Sequence, residues 1–528
     1  MKGVPMHKFF PHLLLSLIFA IMLFLFPSWN EVYAYSTDAE TQGVILYVKP
    51  GANGTCASWA DACELQTALF NAVAGDQIWV AAGTYKPTTS SNREATIQLK
   101  NDVAIFGGFP SAGGDLSQRD WETNTTTISG DIGIVGNNDD NSYHVVTGSG
   151  VGVTTILNGF TISGGNANGT SPNVVGGGMF NSGGSPTLTN VTFSGNSATN
   201  YGGGMYNSGS PTLTNVTFSS NSATYGGGMY NTNSSPTLSN ITFSDNTASN
   251  DGGGMYNTNS SPTLSNITFS GNTAFYYGGG MYNNNSSSPS LTNVTFSGNT
   301  AINGGGMYNT TNSSPTLYDV NFSDNTATNY GGGMYNFNSS SPTLYDVTYS
   351  GNTASKDGGG MYNFTNSSPR LTNVTFSGNT AINGGGMYNT TNSSPSLTNV
   401  TFSNNSATYG GGMYNTNSSP TLTNVTFSTN SETDYGGGMY NYRSSPSLSN
   451  VTLSGNSAIY DGGGMYNTNS SPTLTNVTFS SNSVTYGVGG GMYNTNSSPS
   501  LTNVTFSGNY GTLGGGMYNT NSSPTLTN

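Results

Sequence analysis

From Leu397 to Ser403 the chain reads Leu-Thr-Asn-Val-Thr-Phe-Ser, apolar and polar in alternation apart from one interruption at Asn399, and nothing nearby keeps helical spacing. Such alternation predicts extended structure with one face buried, because successive side chains on a strand point to opposite sides. A triple glycine, Asn-Ser-Ser-Pro and Ser-Asn-Asn cut the surrounding unit into three short pieces: Pro395–Asn399, Val400–Ser403, and a third from the glycines through Met387 to Asn389. Three pieces per unit predict a triangular coil. Leu397, Val400, Phe402 and Met387 are expected to face inward, and Thr398, Thr401, Ser403 and Tyr388 outward.

The unit recurs. Gly-Gly-Gly-Met places methionine at 179, 205, 229, 255, 281, 307, 334, 361, 387, 413, 439, 465, 492 and 517, with a spacing that is mostly 26. A fixed period of this length marks a solenoid, in which each turn contacts only its neighbours. One turn buries too few apolar groups to offset the entropy of ordering its backbone, so stability has to come from stacking turn on turn. Asparagines recur at the corners, among them Asn389, Asn399 and Asn405 and their equivalents Asn207, Asn424 and Asn430. They read either as an internal ladder of amides or as solvated turn residues. The glycines allow close backbone approach, and methionine fills the space that remains.

The chain ahead of the repeats is organised differently. Lys2 and Lys8, the apolar run Leu13–Phe26 and Val32-Tyr33-Ala34 read as a signal peptide over 1–34, with Tyr35 beginning the mature chain. No later segment is apolar enough to be a transmembrane helix. Cys56 and Cys63 are the only cysteines, and in an exported chain they are expected to form one disulfide rather than a zinc site. Asp61 and Glu64 have capping-box spacing, and Leu65, Ala68, Leu69, Ala72 and Val73 follow at helical intervals up to Gly75. Residues 35–75 are therefore read as an amino-terminal cap with helix and disulfide, covering the open end that a solenoid would otherwise expose. Residues 76–152 read as irregular early rungs, with strands near Gln77–Ala81, Ala95–Leu99, Val103–Phe106 and Tyr143–Thr147. Residues 153–528 are the regular rungs, and the last unit stops partway, as in an incomplete sequence. The expected fold is all-β: a right-handed parallel β-helix solenoid with three short strands per rung and a short capping helix.

Units of the form Phe-Ser-Gly-Asn followed by Gly-Gly-Gly-Met-Tyr-Asn resemble the paired motifs of chlamydial polymorphic outer membrane proteins, and of many exported bacterial right-handed parallel β-helix proteins with the pectin-lyase-like fold. The segment holding Ile78-Trp79-Val80, Arg119-Asp120-Trp121 and Ser142-Tyr143-His144 is similar to the leading region of such proteins. The resemblance implies a secreted, cell-surface or outer-membrane protein, either an adhesin-like repeat surface or, alternatively, a polysaccharide lyase or glycoside hydrolase on the same coil.

Only 6% of the residues are charged, 74 are glycine, and 23 acids face 10 basic residues, which argues against nucleic acid as a partner. The acids of the repeats are scattered. Asp319 and Asp346 occupy the same place in adjacent units and make the best pair, but no further acid or base accompanies them, so they read as solvated turn charges and no catalytic residue is assigned. Asp115, Arg119, Asp120, Glu122, Asp131, Asp139, Asp140 and His144 are denser but lack the order of a calcium loop, so no metal or other cofactor is expected. The residue after each repeat methionine is Phe180 in the first unit and tyrosine in the others: Tyr206, Tyr230, Tyr256, Tyr282, Tyr308, Tyr335, Tyr362, Tyr388, Tyr414, Tyr440, Tyr466, Tyr493 and Tyr518. Stacked rung on rung, they predict an aromatic stripe that either stabilises the sheet or binds glycans or surface proteins. Threonine columns raise an ice-binding alternative, against which stands the plain preference of threonine for strands.

Overall fold

The computed structural model describes residues 43–527; the expected signal peptide, 1–34, lies outside them. They coil into a parallel β-helix of about 17 turns with very little helix. Every repeat methionine is paired with the next in parallel register, from Met179 with Met205 through Met387 with Met413 to Met492 with Met517.

The interruption at Asn399 is a bend. Leu397 and Val400 are three positions apart and would lie on opposite faces of a flat strand. Asn399 adopts φ +55°, and this left-handed residue turns the chain so that Leu397, Val400 and Phe402 are all within 1% of full burial. Asparagine tolerates this conformation better than most residues. Ser396–Thr398 and Thr401–Ser403 thus form two sides of the rung, and Met387–Thr390 forms the third. A short strand that the turn-rich sequence hid, Ser406–Tyr409, adds a small corner filled by Ala407.

The glycine run lies where neighbouring rungs touch. A methyl group on Gly386 would stand 2.6 Å from the carbonyl oxygen of Gly412 and 2.7 Å from the Phe402 ring. The interior is a single apolar column running from Val48 to Met492. Within it Phe376, Phe402 and Phe427 stack with centroids 4.8 Å apart, the separation of adjacent strands.

The asparagines divide between the two expected roles. Asn389 and Asn405 belong to fully buried ladders. Asn389 Nδ2 donates to Asn415 Oδ1 at 2.9 Å, and Asn405 Nδ2 donates to Asn430 Oδ1 at 2.9 Å and to the Phe376 carbonyl at 3.0 Å. Asn399 stands on the exposed corner, where its Nδ2 donates to Asn373 Oδ1 at 3.1 Å.

At the amino-terminal end the helix spans Leu65–Asn71, and Leu65, Ala68, Leu69 and Ala72 join the apolar column. Two expectations are corrected. Asp61 is not a helix cap but ends a tight turn, Trp59–Asp61, and accepts a hydrogen bond from Thr55 Oγ1; Glu64 is the cap residue and makes no capping bond. The helix stops before Val73, which is 61% exposed, because Ala72 already leaves helical geometry. Cys56 and Cys63 are bonded, tying the loop to the helix start. The early strands form at Gln77–Ala81, Ile97–Gln98, Ala104–Phe109 and Val146–Thr147. Among the described residues no helix is long and apolar enough to cross a membrane.

Candidate functional site

The tyrosines that follow the methionines form a continuous column from Tyr206 to Tyr518, with successive ring centroids 4.6–5.9 Å apart. Phe180 and His144 extend it at 5.6 and 5.0 Å. The expectation that all of these side chains coat an open face is corrected. Tyr230, Tyr256, Tyr282, Tyr308, Tyr335 and Tyr362 are only 5–9% exposed. Tyr206, Tyr388, Tyr414, Tyr440, Tyr466, Tyr493 and Tyr518 are half-buried.

A second aromatic column, which the sequence reading missed, covers the first. It comes from the residue before each glycine run: Tyr201 lies 4.5 Å from Tyr230, Tyr277 lies 4.7 Å from Tyr308, and Tyr330 lies 5.2 Å from Tyr362. The signal was present as a tyrosine recurring just ahead of the glycines. Desolvation pushes the Tyr256 and Tyr440 phenols up to about 12, so these side chains stay neutral hydrogen-bonding groups.

Acids and amides interrupt this second column. Asp251 pairs with Tyr277, and Tyr277 with Asn303. Burial pushes the Asp251 carboxyl up to about 7, and Oδ1 of both Asp251 and Asn303 is buried without a partner. Asp357 is also raised by burial, although Asn383 Nδ2 donates to it at 2.7 Å. Among the acids of the repeats the most buried is Glu432, in the corner that alanine fills in other rungs. Desolvation pushes its carboxyl up to about 9, and Oε2 accepts the Asp434 backbone N–H at 2.6 Å. These acids sit on separate rungs, and Lys356 lies close enough to Asp357 to oppose its shift.

Several charged groups of the leading region are taken up by local structure. Asp115 caps a short turn together with Gln118, Asp120 accepts the backbone N–H groups of Glu122 and Thr123, Asp131 accepts that of Gly136, and Asp140 that of Ile134. Burial lowers the Arg119 guanidinium to about 10, and it donates to the Gly107 carbonyl at 2.6 Å and to the Asn158 carbonyl at 3.1 Å. His144 bonds the Gly176 carbonyl at 3.0 Å and Asn173 Oδ1 at 3.2 Å, and burial lowers its basicity. Among the described residues, no group of three or more His, Cys, Asp or Glu side chains is placed to hold a metal ion. A surface concavity of 270 Å³ over Ala198, Thr199, Ser222 and Ala223 is lined without any ionisable side chain.

Asp319 and Asp346 do lie together, exposed on the left-handed corner of consecutive rungs. Beside them Tyr318 and Tyr345 stack at 4.9 Å with rings 7° from parallel.

Comparison with curated protein sequences finds no match. Among solved structures the chain is similar to pectate lyase Pel9A, at 14% identity over 58% of this chain and 79% of that one, with a TM-score of 0.36. It is similar to tailspike protein 3 of bacteriophage CBA120, at 12% identity over 88% of this chain and 56% of that one, with a TM-score of 0.30. A further similarity is to PfbA, a surface adhesin of Streptococcus pneumoniae, at 11% identity over 85% of this chain and 84% of that one, with a TM-score of 0.15. The family described as "Right handed beta helix region" matches residues 173–354, and with its rungs in parallel register from end to end of the repeats, the chain is a right-handed parallel β-helix repeat protein.

Proposed function

We propose that the protein is a non-catalytic, exported β-helix that presents a long repetitive face for adhesion to, or interaction with, glycans or surface proteins. One observation carries this reading: outward positions repeat the same group rung after rung. Thr375, Thr401 and Thr426 stand in one column, and Ser377, Ser403 and Ser428 in another. A partner with its own repeat meets an identical donor and acceptor at each ~4.8 Å step, and weak contacts multiply along it. The half-buried tyrosines from Tyr388 to Tyr518 add ring edges on a second side of the rung, and the buried ones stiffen that side. The dispersed acids fit presentation better than bond cleavage, which calls for carboxylates converging with a base.

The test is a glycan array, probed with the purified protein, beside pull-down of surface proteins, with release of reducing ends and unsaturated uronates measured on the same polysaccharides. Binding without product is expected. Turnover of any polysaccharide would replace this reading with a lyase or hydrolase.

A further inference from the structure

We infer that Tyr318 and Tyr345, together with Asp319 and Asp346, form a subsite for a neutral hexose oligosaccharide on the outer corner of the helix. The inference rests on the glycan side of the function proposed above. At this corner the repeat places Thr or Ser followed by Asn, as in Thr292-Asn293, Thr372-Asn373 and Thr398-Asn399. Two consecutive rungs depart from it and read Tyr318-Asp319 and Tyr345-Asp346. The backbone is unaffected. Thr292, Tyr318, Tyr345 and Thr372 remain in one register, and Asp319 and Asp346 hold φ of +54° and +55°, against +54° at Asn293 and +56° at Asn373.

The aspartates work against stability, whereas the tyrosines form a stacked pair that the flanking rungs do without. On this corner each asparagine donates to the rung before it: Asn293 Nδ2 to Asn266 Oδ1 at 2.8 Å, and Asn373 Nδ2 to Asp346 Oδ1 at 3.0 Å. A carboxylate has no N–H to donate, so the ladder breaks at both aspartates, and two like charges stand one rung, ~4.8 Å, apart. The tyrosine leaves an aromatic ring 43% exposed on a face of hydroxyls. The flanking rungs complete the same corner with Thr and Asn, so the fold asks for neither change.

What the changes build has the chemistry of a sugar site. In the ladder, the outer face of the ring pair is bordered by Thr292 on one side and Thr372 on the other, both shorter than the rings. A pyranose packs its apolar C–H face against such a ring while its rim hydroxyls donate to acceptors beside it. The adjacent aspartates supply those acceptors: Asp319 receives no amide from the next rung, and Asp346 keeps its second carboxylate oxygen beside the one that Asn373 bonds. Arg370 follows on the next rung, exposed and opposite Thr343, and adds donors on the same side of the sheet. Two carboxylates against one guanidinium, on a chain of net charge −13, disfavour uronates and select a neutral glycan.

The experiment restores the repeat. Tyr318→Thr with Tyr345→Thr, and separately Asp319→Asn with Asp346→Asn, are compared with the parent protein by calorimetry, using cellohexaose, maltohexaose and oligogalacturonate as probes and calcium alone as a further ligand. The parent is expected to bind a neutral hexasaccharide and not oligogalacturonate. Each double variant should weaken that binding about tenfold or more, and the asparagine variant should unfold at an equal or higher denaturant concentration. Neutral-glycan binding that persists in both variants overturns the subsite and leaves the wider surface reading standing. So does a parent that binds neither hexasaccharide while the array still shows other partners. Calcium binding lost only in the aspartate variant identifies a cation site instead, and destabilisation by the asparagines shows the aspartates to be structural. Either result overturns the inference.

Discussion

Glu432 stands in register with Ala407, so a carboxyl group enters a corner sized for a methyl group. Its carboxyl is held at about 9 when folded against 4.5 ordinarily, chiefly by desolvation. Between those values the folded chain keeps a proton that the unfolded chain has lost, so stability falls as pH rises through that window and is flat outside it. The loss from about pH 5 to about pH 8 should be on the order of 3 kcal/mol. Glu432→Ala should remove the contribution of this carboxyl and stabilise the protein at the upper pH, leaving those of Asp251, which acts in the same direction up to about 7, and of Asp357 and Asp461, both also raised by burial. Denaturant midpoints of both proteins across that range provide the check.

The buried and exposed amide ladders should respond differently to the same substitution. Asn405→Ala removes the acceptor for the Asn379 backbone and side-chain N–H groups and the donor to the Phe376 carbonyl and Asn430. Leaving these groups unsatisfied in the interior should cost ~2–4 kcal/mol. Asn399→Gly, on the exposed left-handed corner, should change stability by no more than about 0.5 kcal/mol. Equilibrium unfolding separates the two, and equal effects would contradict the assignment of Asn405 to the interior.

Glycines of one unit should not be equivalent. Gly386→Ala drives a methyl group into the next rung's backbone and should prevent cooperative folding or cost ~3 kcal/mol or more. Gly298 has φ +61° and open space around it, so Gly298→Ala should cost only the left-handed penalty of ~1–2 kcal/mol. Circular dichroism with denaturant titration reads both.

The phenylalanine column should tolerate leucine and not alanine. Leu453 already stands in it, paired with Phe427 and Phe479. Phe402→Leu should cost ~1–1.5 kcal/mol, whereas Phe402→Ala, opening a void between two stacked rings, should cost ~3–5 kcal/mol. Thermal midpoints would show the difference.

Much of this architecture was legible in one unit of sequence. Leu397, Val400, Phe402 and Met387 could be assigned inward because alternation and a fixed period constrain them together, and Asn399 marked the bend by being the one residue out of step. The Tyr388 column was legible as a stack but not as a half-covered one, since its burial depends on Tyr330 and its equivalents arriving from the neighbouring rung. Asp61 misled because capping-box spacing says nothing of the tight turn at Trp59–Asp61 that uses the residue first. Asp251 and Glu432 are two of the scattered acids of the repeats, and only register with tyrosine and alanine columns reveals them as buried.

Because each rung meets a near copy of itself, the interfaces are interchangeable. Excising residues 400–424 would bring Thr398-Asn399 directly to Val425-Thr426, and Met387 would then rest on Met439, with the same valine, phenylalanine, asparagine and methionine neighbours as before. Length is therefore a free variable of this molecule. Adding or removing whole units would lengthen or shorten it by whole steps, and each product would inherit a working seam.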